Sequence, residues 1–246
     1  MPRISYYTPD GKRLRGTTTI LGRFKDSGGL MFWAFKQGIE AGLEEADGKP
    51  PRGLYDARDD AATAGTIAHE LIENAIHGND RQEVIDRHGG KDNEQVKLAL
   101  KGFGAFERWW EGSRFELVAT ETSLVSSDPA FGGTLDAIGV VDGELSLVDW
   151  KSGAGIYPEM LLQCSAYRHL FERGDINHTR KGKPVCDEPI HFGEKIQRVD
   201  LLRVGKEFGD FHHHSFPISI IDQAWEVFRT MPRQYDLLEQ LKKAVR

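Results

Sequence analysis

The chain is poor in cysteine: among 246 residues only Cys164 and Cys186 occur. Two thiols cannot make a disulfide framework, and they are too few for a four-cysteine iron–sulfur cluster. The expectation is a reducing compartment, the cytoplasm, and a fold without structural disulfides. Long hydrophobic runs are also missing. No stretch approaches the ~18 apolar residues of a membrane span, and the first ten residues do not read as a secretion signal. Positive charge is not in excess, since 32 Lys and Arg face 38 Asp and Glu for a formal net charge of −6. That balance does not favour a nucleic-acid partner, yet such binding depends on a local basic groove and not on whole-chain charge. Internal repeats are absent as well. What remains is 39% hydrophobic, 10% aromatic and 28% charged residues, the composition of a globular protein of one large domain.

The most informative stretch is FGGTLDAIGVVDGELSLVDWKS, residues 131–152. Two β-type runs flank Asp142-Gly143, a dipeptide suited to a two-residue type I′ hairpin turn. Pairing Val141 with Glu144 and counting outward sets Asp136 opposite Asp149 and Thr134 opposite Lys151. Opposed residues share a face, as do residues two apart, so Asp136, Asp149 and Lys151 are expected to crowd one patch. Leu145, Leu147, Ile138 and Val140 lie on that face toward the turn, which marks it as largely buried. Two carboxylates so placed repel, and one takes up a proton unless a cation sits between them. Mg²⁺ or Mn²⁺ is the natural occupant of such an oxygen pair. A charged lysine cannot ligate a metal, but it can hold an attacking water or neutralise charge growing on a phosphoryl group. A solvated Asp-Asp-Lys cluster on an exposed sheet face is the plainer alternative.

The order Gly-Thr-Leu-Asp136 followed by Val-Asp149-Trp-Lys151 resembles the PD-(D/E)XK nuclease superfamily, and more closely its RecB-like exonuclease branch. Gly65-Thr66-Ile67-Ala68-His69 is similar to that branch's upstream G-x-x-x-H motif. Glu121 stands where an acidic residue ends the first core strand, and Gln163 with Tyr167 matches the downstream Q-x-x-x-Y. Thr-Thr-x-Ile-Leu near the start, with a Trp-Ala helix after it, resembles stand-alone, often phage-encoded members. Leu135 replaces the superfamily's proline, a common departure. The resemblance implies an α/β restriction-endonuclease-like core: a mixed central sheet flanked by helices, with extra helical N- and C-terminal segments. It implies hydrolysis of DNA phosphodiester bonds with one or two Mg²⁺ or Mn²⁺ ions held by Asp136, Asp149, His69 and the carbonyl of Trp150. Lys151 would be catalytic, and Glu121 a ligand of a metal-bound water or a partner of His69. Gln163, Tyr167 and Thr66 would contact substrate. An exonuclease in DNA recombination or repair is the implied role, with recombination or replication proteins as partners and no membrane. Rival readings are a structure-specific endonuclease, an RNA-directed nuclease and a non-catalytic DNA-binding module; the intact Asp136, Asp149 and Lys151 speak against the last.

Elsewhere the pattern predicts a hairpin turning at Pro9-Asp10-Gly11 and helices over 29–43, 61–76, 95–110 and 158–171. Phe32, Trp33, Phe35 and Ile39 on the first of these are expected in the core. On the second, Ile67, Leu71, Ile72, Ala75 and Ile76 fill one half of the helical wheel, and His69 sits at the edge of that arc. Residues 115–125 alternate as a strand with Phe115, Leu117, Ala119 and Glu121 on one side. Residues 44–58, 78–91 and 174–193 read as connections. Residues 195–204 and 207–216 read as a strand pair, the latter carrying His212-His213-His214 on an exposed strand. One helix is expected over 217–245. The chain is expected to form a single nuclease domain with an N-terminal segment 1–58, a core 59–216 and a C-terminal helix 217–246.

Overall fold

The computed structural model describes residues 4–25, 28–48, 56–153, 155–186, 194–205 and 209–245; for Trp33 only the backbone is described. The elements run β1 Tyr6–Tyr7, β2 Arg13–Leu14, α1 Thr17–Phe24, α2 Gly28–Ala46, α3 Asp56–Ile76, α4 Arg81–Arg87, α5 Glu94–Gly112, β3 Glu116–Ser127, β4 Ala130–Val141 and β5 Glu144–Lys151. They continue with α6 Pro158–Arg173, β6 Asp175–Ile176, β7 Arg198–Val204, β8 Phe211–Pro217, α7 Ile218–Phe228 and α8 Met231–Ala244. Two compact units result, one of Met1–Phe24, Arg108–Arg203 and His212–Arg246, the other of Lys25–Glu107 and Val204–Phe211. No described helix is long and apolar enough to cross a membrane.

The first unit is α/β. Its mixed sheet has the order β6-β3-β4-β5-β7-β8, and helices cover it. The central hairpin forms as its sequence dictates: Asp142 and Gly143 take φ of 52° and 84°, and Val141 pairs with Glu144. Strands β3, β4 and β5 are antiparallel, whereas β5 and β7 are parallel and are connected through α6. Such a connection needs a crossover element, and the 16-residue helix supplies it. One sheet face carries Leu124, Phe131, Leu135, Ile138, Leu147, Val199 and Leu201, packed with Cys164, Tyr167, Leu170 and Phe171 of α6 and Phe228 of α7. Buried side chains of this size each contribute about 1.5–3 kcal/mol. The short hairpin β1–β2 is tied on by Asn177, which accepts from Tyr7 N at 2.9 Å and donates to Ser5 O and Ser123 Oγ at 3.1 and 3.0 Å.

Alternation along β3 and β4 breaks at a shared point. Gly133 and Gly139 are six apart and in a regular strand would face the same side. Instead a Cβ at Gly133 would meet Tyr167 and Leu170 of α6, and one at Gly139 would meet Phe115. Phe115 belongs to a cluster with Trp109 and Trp150 on the opposite face. Leu135 and Ile138 both reach the α6 core for the same reason, as do Ala119 and Leu124 of β3. The break lies where Glu121 adopts φ of 45°, at the register position across from Asp136, between the pairs Thr120↔Ala137 and Thr122↔Leu135. A second irregularity falls between Leu117 and Ala119. The expected single-sided row of Phe115, Leu117, Ala119 and Glu121 is therefore corrected.

The second unit is helical. Ile67, Leu71 and Ile72 of α3, Val84 and Ile85 of α4, and Val96, Phe103 and Phe106 of α5 are buried. Glu70, also buried, receives Arg87 at 3.2 Å and lies 3.0 Å from His88 Nε2. The connection expected over 78–91 holds helix α4, started by Asp80, whose carboxylate accepts from Gln82 N at 2.8 Å. Phe32, Phe35 and Ile39 of α2 are exposed (61%, 63% and 50%), not core as expected. The expected C-terminal helix is two, α7 and α8, because Pro232 in the first turn of α8 cannot continue a preceding helix. Strand β8 bears the histidine triplet exposed, as expected. Of the connection expected over 44–58, residues 44–46 belong to α2 and 56–58 to α3; residues 49–55 lie outside the described residues, as do part of 174–193 and the Lys206 turn.

Candidate active site

The cluster is built where β4 and β5 part. Their ladder ends at Ala137↔Val148, so the expected pairings of Asp136 with Asp149 and of Thr134 with Lys151 are not made. The chain next to Ala137 turns out of phase, and the Asp136 carboxylate takes over the ladder's work: its Oδ2 accepts from Trp150 N at 3.0 Å. The backbone of Trp150 thereby enters the site through its N–H, satisfied by a carboxylate in place of a carbonyl. Tyr6 OH lies 3.2 Å from Thr134 Oγ1 on the adjoining stretch of β4.

Asp149 and Lys151, two apart on β5, share a face as expected. Asp149 is wholly buried and forms an ion pair with Lys151, whose side chain is 14% exposed. Lys151 Nζ also donates to Gln163 Oε1 at 3.1 Å, and Gln163 Nε2 donates to Tyr167 OH at 2.9 Å. Gln163 and Tyr167, one turn apart on α6, therefore fix the lysine from the helix side. The structure brings together Asp136, Asp149, Trp150, Lys151, Gln163 and Tyr167, with Glu121 at the adjacent register position on β3. His69 and Thr66 belong to α3 of the other unit: His69 is half-buried, and the exposed Thr66 donates Oγ1 to Ala62 O at 3.2 Å.

The electrostatics follow from burial. Desolvation pushes the Asp136 carboxyl up, against the opposing pull of Lys151 and the Trp150 N–H. Desolvation opposes charge on Lys151 too, but Asp149 and Asp136 outweigh it, and the ammonium is pushed up to about 12. A lysine so held is cationic at neutral pH; it can donate hydrogen bonds and offset negative charge, but it is no general base. Burial raises the Tyr167 hydroxyl and the Cys164 thiol well above their ordinary ranges, and the two aspartates add to both shifts. Both stay protonated, Tyr167 as a donor or acceptor and Cys164 as an apolar wall. Among the described residues no three His, Cys, Asp or Glu side chains are grouped to hold a metal. The pair Asp136 and Asp149 is nonetheless a donor set for a hard divalent cation, and the raised Asp136 carboxyl marks a place short of positive charge.

A second polar cluster, not expected from the sequence, lies on the opposite sheet face. The buried Asp200 of β7 accepts from Arg198 Nε and Nη2 at 2.8 Å each and from Ser146 and Ser215, and His213 Nε2 lies 2.7 Å away. Burial opposes its charge, but these partners hold the carboxyl far below the usual range. With every acceptor position used, this cluster ties β8 to β7 and β5.

No family model matches the sequence, and no curated protein matches it. A solved structure described as "Crystal structure of SSO0001" aligns over 80% of this chain and 84% of its own, at 12% identity and a TM-score of 0.29, too low to carry an argument about fold or activity.

Proposed function

We propose that the chain is a divalent-metal-dependent deoxyribonuclease with a restriction-endonuclease-like core, similar to the RecB-like exonuclease branch, acting on DNA in the cytoplasm during recombination or repair. The observation that carries the reading is the convergence of the buried Asp149 with the half-buried Asp136 and Lys151 where two strands part, with Gln163 and Tyr167 bracing the lysine from α6. A purely structural role for this cluster would cost folding energy with no return, since a buried ion pair is seldom better than apolar packing. Asp136 and Asp149 would hold Mg²⁺ or Mn²⁺, which when bound supplies Lewis-acid stabilisation of a phosphoryl oxygen and lowers the pKa of a water. Lys151, kept protonated, places its charge where negative charge grows during phosphodiester hydrolysis. Gln163 aims the ammonium and can itself donate to a phosphate oxygen. Tyr167 sets the orientation of the Gln163 amide. Glu121, at φ of 45° and across from Asp136, is a strained residue of the kind kept at functional sites.

The test is digestion of end-labelled single-stranded, duplex and circular DNA, with RNA as control, in Mg²⁺ and in Mn²⁺. Metal-dependent cutting of linear DNA with circles spared is the expected result. Cutting of circles moves the reading to an endonuclease and cutting of RNA alone to an RNA-directed nuclease. No cutting of any substrate leaves a DNA-binding module.

A further inference from the structure

We propose that Arg203 forms a second phosphate position beside Lys151, taking a backbone phosphate next to the scissile one, so that the site is built for a polynucleotide strand and not for a single phosphoester; the inference rests on the nuclease reading above. In the parallel ladder of β5 and β7, Lys151 is the register partner of Arg203, and Asp149 is the partner of Leu201. Leu201 is wholly buried in the core beneath α6, on the face that holds Asp149. Arg203, two residues on, therefore shares that face with Lys151, one strand away at about 4.8 Å between backbones. Strand β5 ends at Lys151 and β7 at Val204, so both cations stand at the carboxyl edge of a parallel pair. In open α/β sheets that edge is where ligands are bound.

Lys151 is engaged by Asp149 and Gln163. Arg203 is half-buried, and its Nη1 donates to the carbonyl of Gly153, just past the end of β5, at a long 3.4 Å. A phosphate oxygen is the stronger acceptor, and the planar guanidinium matches two of them at once. The division of labour is one charge on the reacting phosphate and one fork on its neighbour.

The experiment is equilibrium binding of a labelled single-stranded DNA oligonucleotide to the parent, Arg203→Met and Arg203→Lys, with a chelator present to prevent cutting, over a salt series. Arg203→Met should raise Kd about tenfold or more, and it should flatten the slope of log Kd against log salt by about 0.7, the share of one phosphate contact on a single strand. Arg203→Lys should recover the slope but not the full affinity, which separates lost charge from lost fold. In the cutting assay, one neutral methylphosphonate beside the scissile linkage should raise KM for the parent and add little in Arg203→Met. An unchanged slope and Kd in Arg203→Met would overturn the Arg203 assignment, and DNA cutting by the parent would leave the nuclease reading standing. If the parent cuts nothing yet Arg203→Met loses the slope, the nuclease reading fails and the phosphate contact stands.

Discussion

Removing the Lys151 ammonium tests the buried cluster without needing a substrate. In Lys151→Met the aliphatic stem is kept at similar volume, so packing changes little. The wholly buried Asp149 loses its ion-pair partner, and Asp136 loses the charge that opposes its rise. Breaking a buried pair by deleting one member costs about 3–5 kcal/mol, since an uncompensated charge is left behind. A second route gives a smaller figure. The rise of Lys151 from 10.5 to about 12 corresponds to roughly 2 kcal/mol. It counts only neutralisation of the amine with the side chain in place, so the larger figure applies to the substitution. Urea or thermal melts of the parent, Lys151→Met, Asp149→Asn and the double variant, at pH 7 with a chelator, should show Lys151→Met as the least stable. The double variant should recover part of the loss, because both charges then leave together. The pH dependence has a definite sign. In Lys151→Met the Asp136 carboxyl, raised by burial, loses the charge that opposes its rise, so the variant is most stable below the unfolded pKa of that group and loses stability as pH rises through the folded value. A Lys151→Met protein within about 0.5 kcal/mol of the parent at pH 7, the scatter of ordinary surface substitutions, would refute the buried-pair reasoning.

Other outcomes follow from the same geometry. If the parent cuts DNA, Lys151→Met should lose cutting by on the order of 10²–10³ in rate, read in single-turnover assays with Mg²⁺. A divalent ion that binds the folded state alone should stabilise the parent by about 2.7 kcal/mol at a hundredfold excess over Kd; Asp136→Asn should abolish that shift in a thermal melt. Asp200, held far below its ordinary range, contributes stability that is present above its unfolded pKa and lost as pH falls through the folded one. Asp200→Asn should therefore be less stable than the parent at pH 7, and the difference should shrink in acid melts. Glu121→Gly should relieve a strained φ and stabilise the fold by on the order of 1 kcal/mol while reducing any cutting.

What was legible in the sequence was local. Asp142-Gly143 set a turn, the turn set a register, and the register held as far as Ala137↔Val148. The spacing of Gln163 and Tyr167 put both on one helix face, but only the resemblance to the RecB-like branch turned that face toward the site, where Gln163 meets Lys151. What was hidden depends on partners distant in the chain. Nothing near Arg203 says that β7 lies parallel to β5, and so its position beside Lys151 could not be read. The donors around Asp200 come from three strands, and the adjacent histidines attract notice for the wrong reason. Phe32, Phe35 and Ile39 have a core-like composition yet are exposed, and composition alone carries no information about which face finds a partner.

The departure at Asp136 matters most, because the extrapolated pairing would have given a poorer site. Had the ladder continued, Trp150 N would have gone to a β4 carbonyl and Asp136 would have stood opposite Asp149 as one more side chain on the face. The phase change at Glu121 and Asp136 costs strain and a ladder bond. In exchange the carboxylate lies in the plane between two strands, fixed by a backbone N–H, at the point where the sheet opens. A carboxylate anchored by the backbone has less freedom to move away from a cation or to follow Lys151, and its raised pKa reports that burial is not yet offset. The break in alternation is thus a positioning device: it commits one oxygen of Asp136 to the fold.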